Sequence, residues 1–281
     1  MALIDVVMPT YNASAYISEA LDSIFAQGDY AFRVLVVNDG STDNTEQVLQ
    51  PWMDRIAYFS KLNEGVVKTR NYALDRLESE YVAFLDADDV WLPGKIEKQL
   101  AILDNNADIG GVYGNANLID GEGKADGGSY IKQEIREELV PDLYSYLFLK
   151  NPIPTSTLIL RREVLEQAGR FDPALPGTED YDMWLRVARL QLLHYIDEPL
   201  SLYRLHGSNL SNNLLRRHRD NLIILRRHLR RSPEIRARLG RRLSDRLARE
   251  HYAYAYCLYK AGQPLGAAAQ VLAFMRYKLF G

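Results

Sequence analysis

An uninterrupted apolar run at residues 81–85 is followed by three carboxylates within residues 86–89. Residues 81–85 carry only aromatic, aliphatic and small side chains, which is typical of a central strand buried on both faces of a parallel sheet. Asp86, Asp88 and Asp89 follow it directly, and carboxylates so close together repel one another unless a cation or water screens them. A hard divalent cation that bridges one or two carboxylates to a substrate's phosphates would remove that repulsion. The same acids would also suit the start of a loop or helix.

Three more polar clusters have the same placement, each directly after a predicted strand. They read Pro-Thr-Tyr-Asn at 9–12, Asn-Asp-Gly-Ser-Thr-Asp at 38–43, and Asn-Glu-Gly at 63–65 with Arg70 close behind. Because the carboxyl ends of parallel strands lie at one edge of a sheet, we expect all four clusters to meet there. Each cluster taken alone is also an ordinary turn or capping sequence.

The elements that must position these clusters alternate between strand and helix. Apolar runs predict strands at residues 3–8, 33–37, 56–60, 81–85 and 109–118. Helical periodicity and a capping box predict helices at residues 14–27, after 43–46, at 66–77 and at 93–105. This alternation predicts an α/β fold in which a mostly parallel sheet is flanked by helices.

The alternation weakens in the second part of the chain. The glycine-rich stretch 120–128 predicts a hairpin or a mobile loop. Beyond it we expect short strands at 156–160, 194–196 and 200–204, and helices at 162–168 and 179–190. From residue 212 onward the pattern is helical, which predicts an α-helical C-terminal extension whose final helix pair resembles a single tetratricopeptide unit.

Length and composition are those of an ordinary globular protein. The chain has 281 residues, 47% hydrophobic and 25% charged, enough for one large domain with an appendage. Its single cysteine, Cys257, excludes an internal disulfide and a cysteine-rich metal site. The first residues lack the features of a signal peptide, and no apolar run is long enough to span a bilayer. We therefore expect a cytoplasmic protein.

The net charge of −3 hides an asymmetry. Residues 214–250 contain thirteen arginines and four acids, so this segment carries +9 and the rest of the chain −12. Its leucines share one helical face, which predicts an amphipathic basic helix. Such a helix could be a solvated surface packed on the body, a homodimer contact, or a peripheral contact with anionic lipids on the inner face of the plasma membrane. We expect no nucleic-acid partner, because the body is acidic and lacks an aromatic stacking platform.

Taken together, the four clusters closely resemble the nucleotide-sugar-binding half of the family 2 glycosyltransferases, which have the GT-A fold. Residues 178–186 look like the acceptor-side segment of that family, and residues 203–211 are similar to the segment that closes its catalytic domain. The resemblance implies a catalytic domain at 1–211, with a nucleotide-sugar half at 1–110 and an acceptor-side half at 111–211, and then the helical extension at 212–281.

For the donor, the resemblance implies a nucleoside diphosphate sugar, linked to UDP, with thymine as another base that would fit. Tyr11 would pack against the base, and Asp39 would accept a hydrogen bond from its N–H group. Arg70 would lie near the base or the phosphates, and Asp86 near the ribose. The other residues expected at the donor are Pro9, Thr10, Asn12, Asn63, Gly65 and Ala87.

For the chemistry, the resemblance implies Mn²⁺ or Mg²⁺ bound by Asp88, with His206 reaching the metal or the pyrophosphate from the opposite side. The cation would stabilise negative charge on the leaving diphosphate. Asp180 is the candidate base for the acceptor hydroxyl, because repulsion from neighbouring acids would raise its pKa; it could also be a helix-start acid stabilised by the dipole. Glu179 and Trp184 are expected on the acceptor side. One displacement would invert the anomeric carbon.

Two functions from different classes stay open. One is an enzyme that moves a sugar to a saccharide or lipid-linked hydroxyl in the synthesis of a surface polysaccharide or glycoconjugate. The other is a non-catalytic protein that binds nucleotide sugars or a membrane surface on the same fold. The presence of Asp88, Asp180 and His206 favours the enzyme. A sugar nucleotidyltransferase would need a glycine-rich basic loop after the first strand, which residues 9–12 are not.

Overall fold

The computed structural model describes residues 3–132, 142–207 and 212–280. These residues form a curled, mostly parallel sheet with helices packed on both faces. The strands are β1 (Leu3–Thr10), β2 (Ala31–Asn38), β3 (Ile56–Ser60), β4 (Tyr81–Phe84), β5 (Val90–Trp91), β6 (Ile109–Ile119), β7 (Ala125–Ser129), β8 (Ile159–Arg161) and β9 (Leu192–Arg204). The predicted α/β fold is confirmed.

Eleven α-helices are described in the same residues. The first half contains α1 (Ile17–Phe25), α2 (Thr45–Leu49), α3 (Val66–Leu74) and α4 (Lys95–Asn105). The middle contains α5 (Leu143–Leu147), α6 (Arg162–Ala168) and α7 (Glu179–Leu190). The C-terminal extension contains α8 (Leu214–Arg231), α9 (Glu234–Leu239), α10 (Arg241–Lys260) and α11 (Pro264–Phe280). Strand β5 and helix α5 were not predicted.

The strand order explains why the polar clusters meet. The sheet runs β3-β2-β1-β4-β8-β6-β9-β5, with β7 paired to β6. Strands β3, β2, β1 and β4 are mutually parallel, so their carboxyl ends, and the polar residues after them, share one edge. Strand β8 lies between β4 and β6 and is antiparallel to both. At this point the simple alternation of parallel strand and helix ends.

Successive side chains of the central strands point to opposite faces of the sheet, so each strand contributes to two hydrophobic cores. In β2, Val34 and Val36 belong to the core on one face of the sheet, and Leu35 and Val37 to the core on the other face. Every residue of β4 is buried. This is the packing expected of a parallel strand covered by helices on both sides, and it makes β4 a rigid support for the acids that follow it.

Two predicted elements differ from the structure for identifiable reasons. The strand expected at 156–160 begins as a 3₁₀ turn, Thr155–Thr157, and becomes β8 only at Ile159. The Thr157 hydroxyl donates to the Pro154 carbonyl at 2.8 Å, a local bond that competes with strand pairing. The two strands expected around Pro199 are one strand, β9, because register shifts against β6 near Asn115 accommodate the proline. Residues 120–128 form the hairpin that joins β6 and β7.

The helical extension is attached to the body through a shared core. Leu222, Leu225 and Leu229 of α8 are buried in the same apolar cluster as Trp184 of α7. The leucine face of this basic helix therefore packs on the body, which is the first of the alternatives above. The predicted domain boundary at residue 211 lies outside the described residues, as does the rest of 208–211. Among the described helices, none has the length and apolarity that a membrane crossing requires.

Candidate active site

The cluster after β1 joins two loops. Thr10 is buried, and its carbonyl accepts a hydrogen bond from the Asp39 N–H at 2.8 Å. Asn12 has a left-handed φ of 48°, and its Oδ1 accepts from the backbone N–H of Thr42 at 2.8 Å. Pro9 pairs with Val37, one residue before the β1–β2 pairing ends at Thr10. These contacts make Asn12 a tie between loops, and they leave its neighbour Tyr11 half exposed at the rim of the site.

Asp39 is buried and holds the loop before α3. Its carboxylate accepts from the backbone N–H groups of Glu64 at 3.0 Å and Gly65 at 2.8 Å, and from Lys61 Nζ at 2.5 Å. Burial alone would raise the pKa of Asp39, but these bonds lower it overall. Gly65 has a φ of 91°, a conformation that favours glycine. Asn63 is exposed on this loop. Lys61 is a site residue that was not predicted, because no local pattern links it to Asp39.

Arg70 connects the end of β4 to the start of α7. Its Nη2 lies 2.6 Å from Asp86 Oδ1, and its Nη1 lies 2.5 Å from Glu179 Oε1. The guanidinium is almost fully buried; burial would lower the pKa of Arg70, but Asp86 and Glu179 raise it above its usual value. A single buried cation therefore joins two acidic clusters that are far apart in sequence.

Asp88 faces His206 across the edge of the sheet. Asp88 Oδ2 lies 2.8 Å from His206 Nε2, and the imidazole stacks on Tyr16 with ring centroids 5.4 Å apart. Burial, together with repulsion from Asp86, raises the pKa of Asp88, although His206 partly opposes this. The neighbouring Ala87 is buried, whereas Asp86 and Asp88 on either side of it are partly exposed.

The Asp88 and His206 pair suits a divalent cation. Carboxylate oxygen and imidazole nitrogen are both ligands of Mn²⁺, and Mg²⁺ is commonly held by one or two carboxylates plus phosphate oxygens and water. Within the described ranges, no group of three or more His, Cys, Asp or Glu residues could hold a metal ion by itself. The donor set therefore fits a cation that takes its other ligands from the substrate.

Asp89, the third acid after β4, has a structural role. It is buried, accepts from the Ser156 hydroxyl at 2.5 Å, and accepts from the Arg204 backbone N–H at 3.0 Å. Burial and the negative charges of Asp88 and Asp86 raise the pKa of Asp89 well above its usual value. Asp89 thereby fastens β9, and with it His206, to the end of β4.

Asp180 is held only weakly. Its Oδ2 lies 3.4 Å from Asn151 Nδ2 and 3.5 Å from Thr155 Oγ1, while its Oδ1 accepts from the Tyr181 N–H at 2.7 Å. Burial and the charge of Glu179 raise the pKa of Asp180 to about 7. At neutral pH this carboxyl group is therefore able to take up or release a proton.

Asp182, two residues further on, is fully paired. Its carboxylate lies 3.0 Å from His228 Nε2, 3.0 Å from Arg186 Nε and 3.3 Å from Arg227 Nη1. Burial would raise the pKa of Asp182, but the His228 hydrogen bond and the Arg186 charge lower it overall. Because His228 and Arg227 belong to α8, this carboxylate ties the extension to the first turn of α7.

Trp184 lies beneath the site. Its indole is fully buried, with ring centroids 5.5 Å from Phe84 and 6.1 Å from Phe171. The structure therefore places Trp184 in the core between β4 and α7, and we leave it out of the acceptor contacts. Trp184 is in the core because it lies on the buried face of α7, and residues three or four apart along a helix share a face. Glu179 is also buried, where it pairs with Arg70.

Comparison with known proteins gives one family. Residues 5–168 match the model of glycosyl transferase family 2. An Escherichia coli protein, UDP-Glc:alpha-D-GlcNAc-diphosphoundecaprenol beta-1,3-glucosyltransferase WfgD, is 30% identical over 215 residues, which cover 75% of this chain and 80% of that protein. An uncharacterized glycosyltransferase of Rickettsia felis is 34% identical over 224 residues, which cover 75% of this chain and 36% of that protein. The chain thus spans about a third of the length of the rickettsial relative.

Solved structures share the fold at low identity. S. aureus TarS in complex with UDP-GlcNAc superposes with a TM-score of 0.63 at 19% identity, covering 98% of this chain and 92% of that one. The mannosyltransferase PcManGT from Pyrobaculum calidifontis, in complex with GDP-Man and Mn²⁺, gives a TM-score of 0.65 at 20% identity, covering 96% and 74%. The chain has the GT-A fold and belongs to glycosyltransferase family 2.

Proposed function

We propose that this chain transfers a sugar from a nucleoside diphosphate donor, UDP-linked in the first instance, to an acceptor hydroxyl with inversion at the anomeric carbon. The observation that carries the proposal is the Arg70 bridge to Asp86 and Glu179. Because Asp86 and Glu179 are close sequence neighbours of Asp88 and Asp180, we infer that the bridge holds the carboxylate suited to a cation, Asp88, and the carboxylate suited to proton transfer, Asp180, at one site.

We assign the donor contacts to residues at the rim and floor of the sheet edge. Tyr11 is half exposed, so the exposed part of its ring is available to a nucleobase. Asp39 would accept from the base N–H in exchange for Lys61, whose ammonium now occupies one of its oxygens. The other donor contacts that we propose come from Pro9, Thr10, Asn12, Asn63, Gly65, Arg70, Asp86 and Ala87. TarS binds UDP-GlcNAc and the E. coli relative is named for UDP-Glc, which supports uridine.

The cation site is Asp88 together with His206. Mn²⁺ or Mg²⁺ bound there would supply electrostatic stabilisation of the charge that develops on the departing diphosphate. In the structure the two side chains pair with each other at 2.8 Å. A cation bound by one of them would therefore also lie close to the other. The Mn²⁺ in the PcManGT complex supports a divalent ion in this fold.

Asp180 would serve as the base on the acceptor side. As the acceptor oxygen bonds to the anomeric carbon, the bond from that carbon to the diphosphate breaks and the hydroxyl proton passes to Asp180. A carboxylate with a pKa of about 7 combines useful basicity with a large ionised fraction at neutral pH. One displacement inverts the carbon, and no covalent sugar–protein intermediate is formed.

The acceptor class that we favour is a saccharide or a lipid-linked saccharide. The E. coli relative is named for a diphosphoundecaprenol-linked acceptor, and such acceptors belong to surface polysaccharide synthesis. Asn151 and Thr155 line the approach to Asp180, so we propose them, with Glu179 behind, as the residues that position the acceptor hydroxyl.

The test is donor binding and donor hydrolysis measured on the same preparation. UDP should raise the melting temperature in the presence of Mn²⁺ but not in the presence of chelator, and Asp88→Ala should abolish that metal dependence. Asp75→Ala is the matched control, because Asp75 is an exposed aspartate whose ion pair is with Arg170. An equal UDP shift in chelator would contradict the metal role of Asp88.

The same experiment separates the enzyme from a binding protein. The enzyme should release UDP from a UDP-sugar at a rate that Asp180→Asn lowers sharply while the UDP-induced thermal shift stays. Metal-dependent binding with no turnover, across a panel of UDP-, dTDP- and GDP-sugars and with wild-type protein, would favour the non-catalytic alternative.

A further inference from the structure

The last helix, α11, exposes an apolar face that the body does not cover. Leu265, Leu272 and Leu279 are 88%, 69% and 73% exposed, and Met275 is 48% exposed. Scattered exposed leucines are normal on a protein surface, but several in one place mark an interaction site. Three exposed leucines on one 17-residue helix therefore call for a partner.

The exposed residues form one stripe opposite the packed side of the helix. The leucines are seven residues apart, and Ala268 and Met275 lie between them at spacings of three and four, which places all five on one face of an α-helix. The other face packs on α10: Gln270 bonds to His251 at 2.7 Å, and Tyr277 stacks on the same ring. Helix α11 is thus attached to α10 on one side and exposes an apolar stripe on the other.

Tyrosines of α10 widen this surface. Tyr252, Tyr256 and Tyr259 are 59%, 56% and 69% exposed. With Pro264 and Val271 of the neighbouring helix they line an apolar groove between α10 and α11. Tyrosine has an apolar ring and a polar tip, the combination found where a surface meets a bilayer. The groove and the leucine stripe together are called the terminal apolar surface below.

The exposed charge around the terminal apolar surface is mainly positive, although Lys278 is paired with Asp245 of α10 at 2.6 Å. Residues 251–281 contain no Asp or Glu, and their charged residues are Lys260, Arg276 and Lys278. Lys260 and Arg276 are exposed. Arg226 of α8 reaches the same helix pair, with its Nη2 3.4 Å from His251 Nε2. A partner that covers this surface must therefore accept leucines and tyrosines in its interior and offer negative charge at its rim.

We propose that the terminal apolar surface binds an anionic lipid bilayer, with the leucine stripe and the tyrosines in the headgroup region and the basic residues against the phosphates. Helices that lie in a membrane interface combine such an apolar face with Lys and Arg at its edges. A second copy of the chain fits less well, because the exposed Arg276 beside the stripe would face the Arg276 of the other copy, and like charges in an interface repel. This assignment does not depend on the transferase proposal.

This surface differs from the arginine-rich helix that the sequence suggested for lipid contact. In α8, Leu222 and Leu225 are buried in the core, and Arg227 pairs with Asp172 at 2.7 Å. That helix has already used its apolar face on the body. The terminal apolar surface has both the exposed leucines and the positive rim that lipid binding requires.

Flotation of the full chain with vesicles tests the proposal. Wild-type protein should float with vesicles of phosphatidylcholine containing about one third phosphatidylglycerol, and should float far less with phosphatidylcholine alone. Joint replacement of Leu265, Leu272 and Leu279 by serine should weaken binding by about tenfold or more, because each leucine loses its burial in the interface. The single change Arg276→Gln should weaken binding to the anionic vesicles by about fivefold.

A matched control removes the same number of exposed leucines elsewhere. Leu62, Leu190 and Leu192 are 86%, 44% and 69% exposed outside the extension, and their joint replacement by serine should leave flotation unchanged. Circular dichroism checks that each variant is folded; if the α11 variant is not, Arg276→Gln and the salt dependence of wild-type binding decide. Equal flotation of the two triple variants would overturn the proposal. So would a wild-type dimer, seen by light scattering, that does not float and that the α11 changes dissociate.

Discussion

The molecule contains two acidic clusters that look alike in sequence and behave differently in the fold. The β4 cluster is Asp86, Asp88 and Asp89, and the α7 cluster is Glu179, Asp180 and Asp182. In each cluster one acid pairs with Arg70, one is fixed by several hydrogen bonds or ion pairs, and one is left with weaker or titratable partners. The acid with the weaker or titratable partners, Asp88 in one cluster and Asp180 in the other, is the one to which we assign chemistry.

The partners of Asp88 and Asp180 differ. Asp88 faces an imidazole, His206, at 2.8 Å, which suits a position where a cation would be shared. The side chains that face Asp180 are an amide and a hydroxyl, Asn151 and Thr155, at 3.4 and 3.5 Å, and even with the Tyr181 N–H at 2.7 Å they do not offset the burial of its charge. The neighbouring side chains of a carboxylate, rather than its spacing in the sequence, therefore decide whether it suits a cation, a proton or a structural bond.

The largest effect that would sharpen this comparison is on turnover. Asp180→Asn should lower the rate of UDP release by about 10³-fold, within the range that a general base contributes, with the KM for the donor changed by less than about threefold. Steady-state kinetics with a saturating UDP-sugar measures both quantities. Asp75→Asn, on the surface, is the control; a matching loss in that variant would mean that the effect is not specific.

The Arg70 bridge gives the next effect, on stability. Arg70→Met should lower the free energy of unfolding by about 3 kcal/mol, because Glu179 and Asp86 would then lack their buried cation. Arg170→Met should lower it by less than about 1 kcal/mol, since Arg170 and Asp75 are a largely exposed pair. Urea unfolding of the three proteins measures the difference, and equal losses in both variants would refute the joining role of Arg70.

Asp182 should behave as a structural acid. Asp182→Asn should cost about 2 kcal/mol of unfolding free energy at neutral pH, because His228 and Arg186 lose a buried carboxylate. The pKa of Asp182 is lowered in the folded protein, so this stabilisation is present above the unfolded value of 3.8 and is lost as the pH falls through the folded pKa. Unfolding curves of variant and wild type should therefore converge only in acid. A constant difference down to the lowest pH would contradict the assignment.

The smallest effect has the opposite sign. Asp180→Asn should raise the free energy of unfolding by about 1 kcal/mol at pH 8, because a folded pKa of about 7 means that ionisation of Asp180 destabilises the fold. The gain should grow as the pH rises from 3.8 toward 7 and level off above that value. Thermal or urea unfolding across this range measures it, and a variant that is less stable than wild type at every pH would be the wrong outcome for our account.

Much of the fold followed from local pattern. The apolar runs of β1 to β4 and the helical periodicity between them are properties of contiguous residues, and both periods are set by backbone geometry. The 3₁₀ turn before β8 was missed because its cause is side-chain bonding by Ser156 and Thr157 in their folded surroundings. Strand β9 was divided at Pro199, since only the register against β6 shows that the proline fits.

The site could be located but not resolved from the sequence. The acids after β4 and at the start of α7 stand out because their spacing is local. Arg70 and Glu179 are 109 positions apart, and no periodicity connects them. The same holds for Lys61 with Asp39 and for His228 with Asp182, so the partners that separate structural acids from reactive ones became visible only in the fold.

The most direct test of the account is the pH dependence of UDP release in a single turnover, measured for wild type and for Asp180→Asn. Wild-type rates should rise with pH as one group loses a proton near pH 7 and should level off above it, since a base acts in its ionised form. The variant should be slow and show no such rise. A wild-type rate that stays constant from about pH 5.5 to 8.5, with chemistry as the slow step, would contradict the role of Asp180.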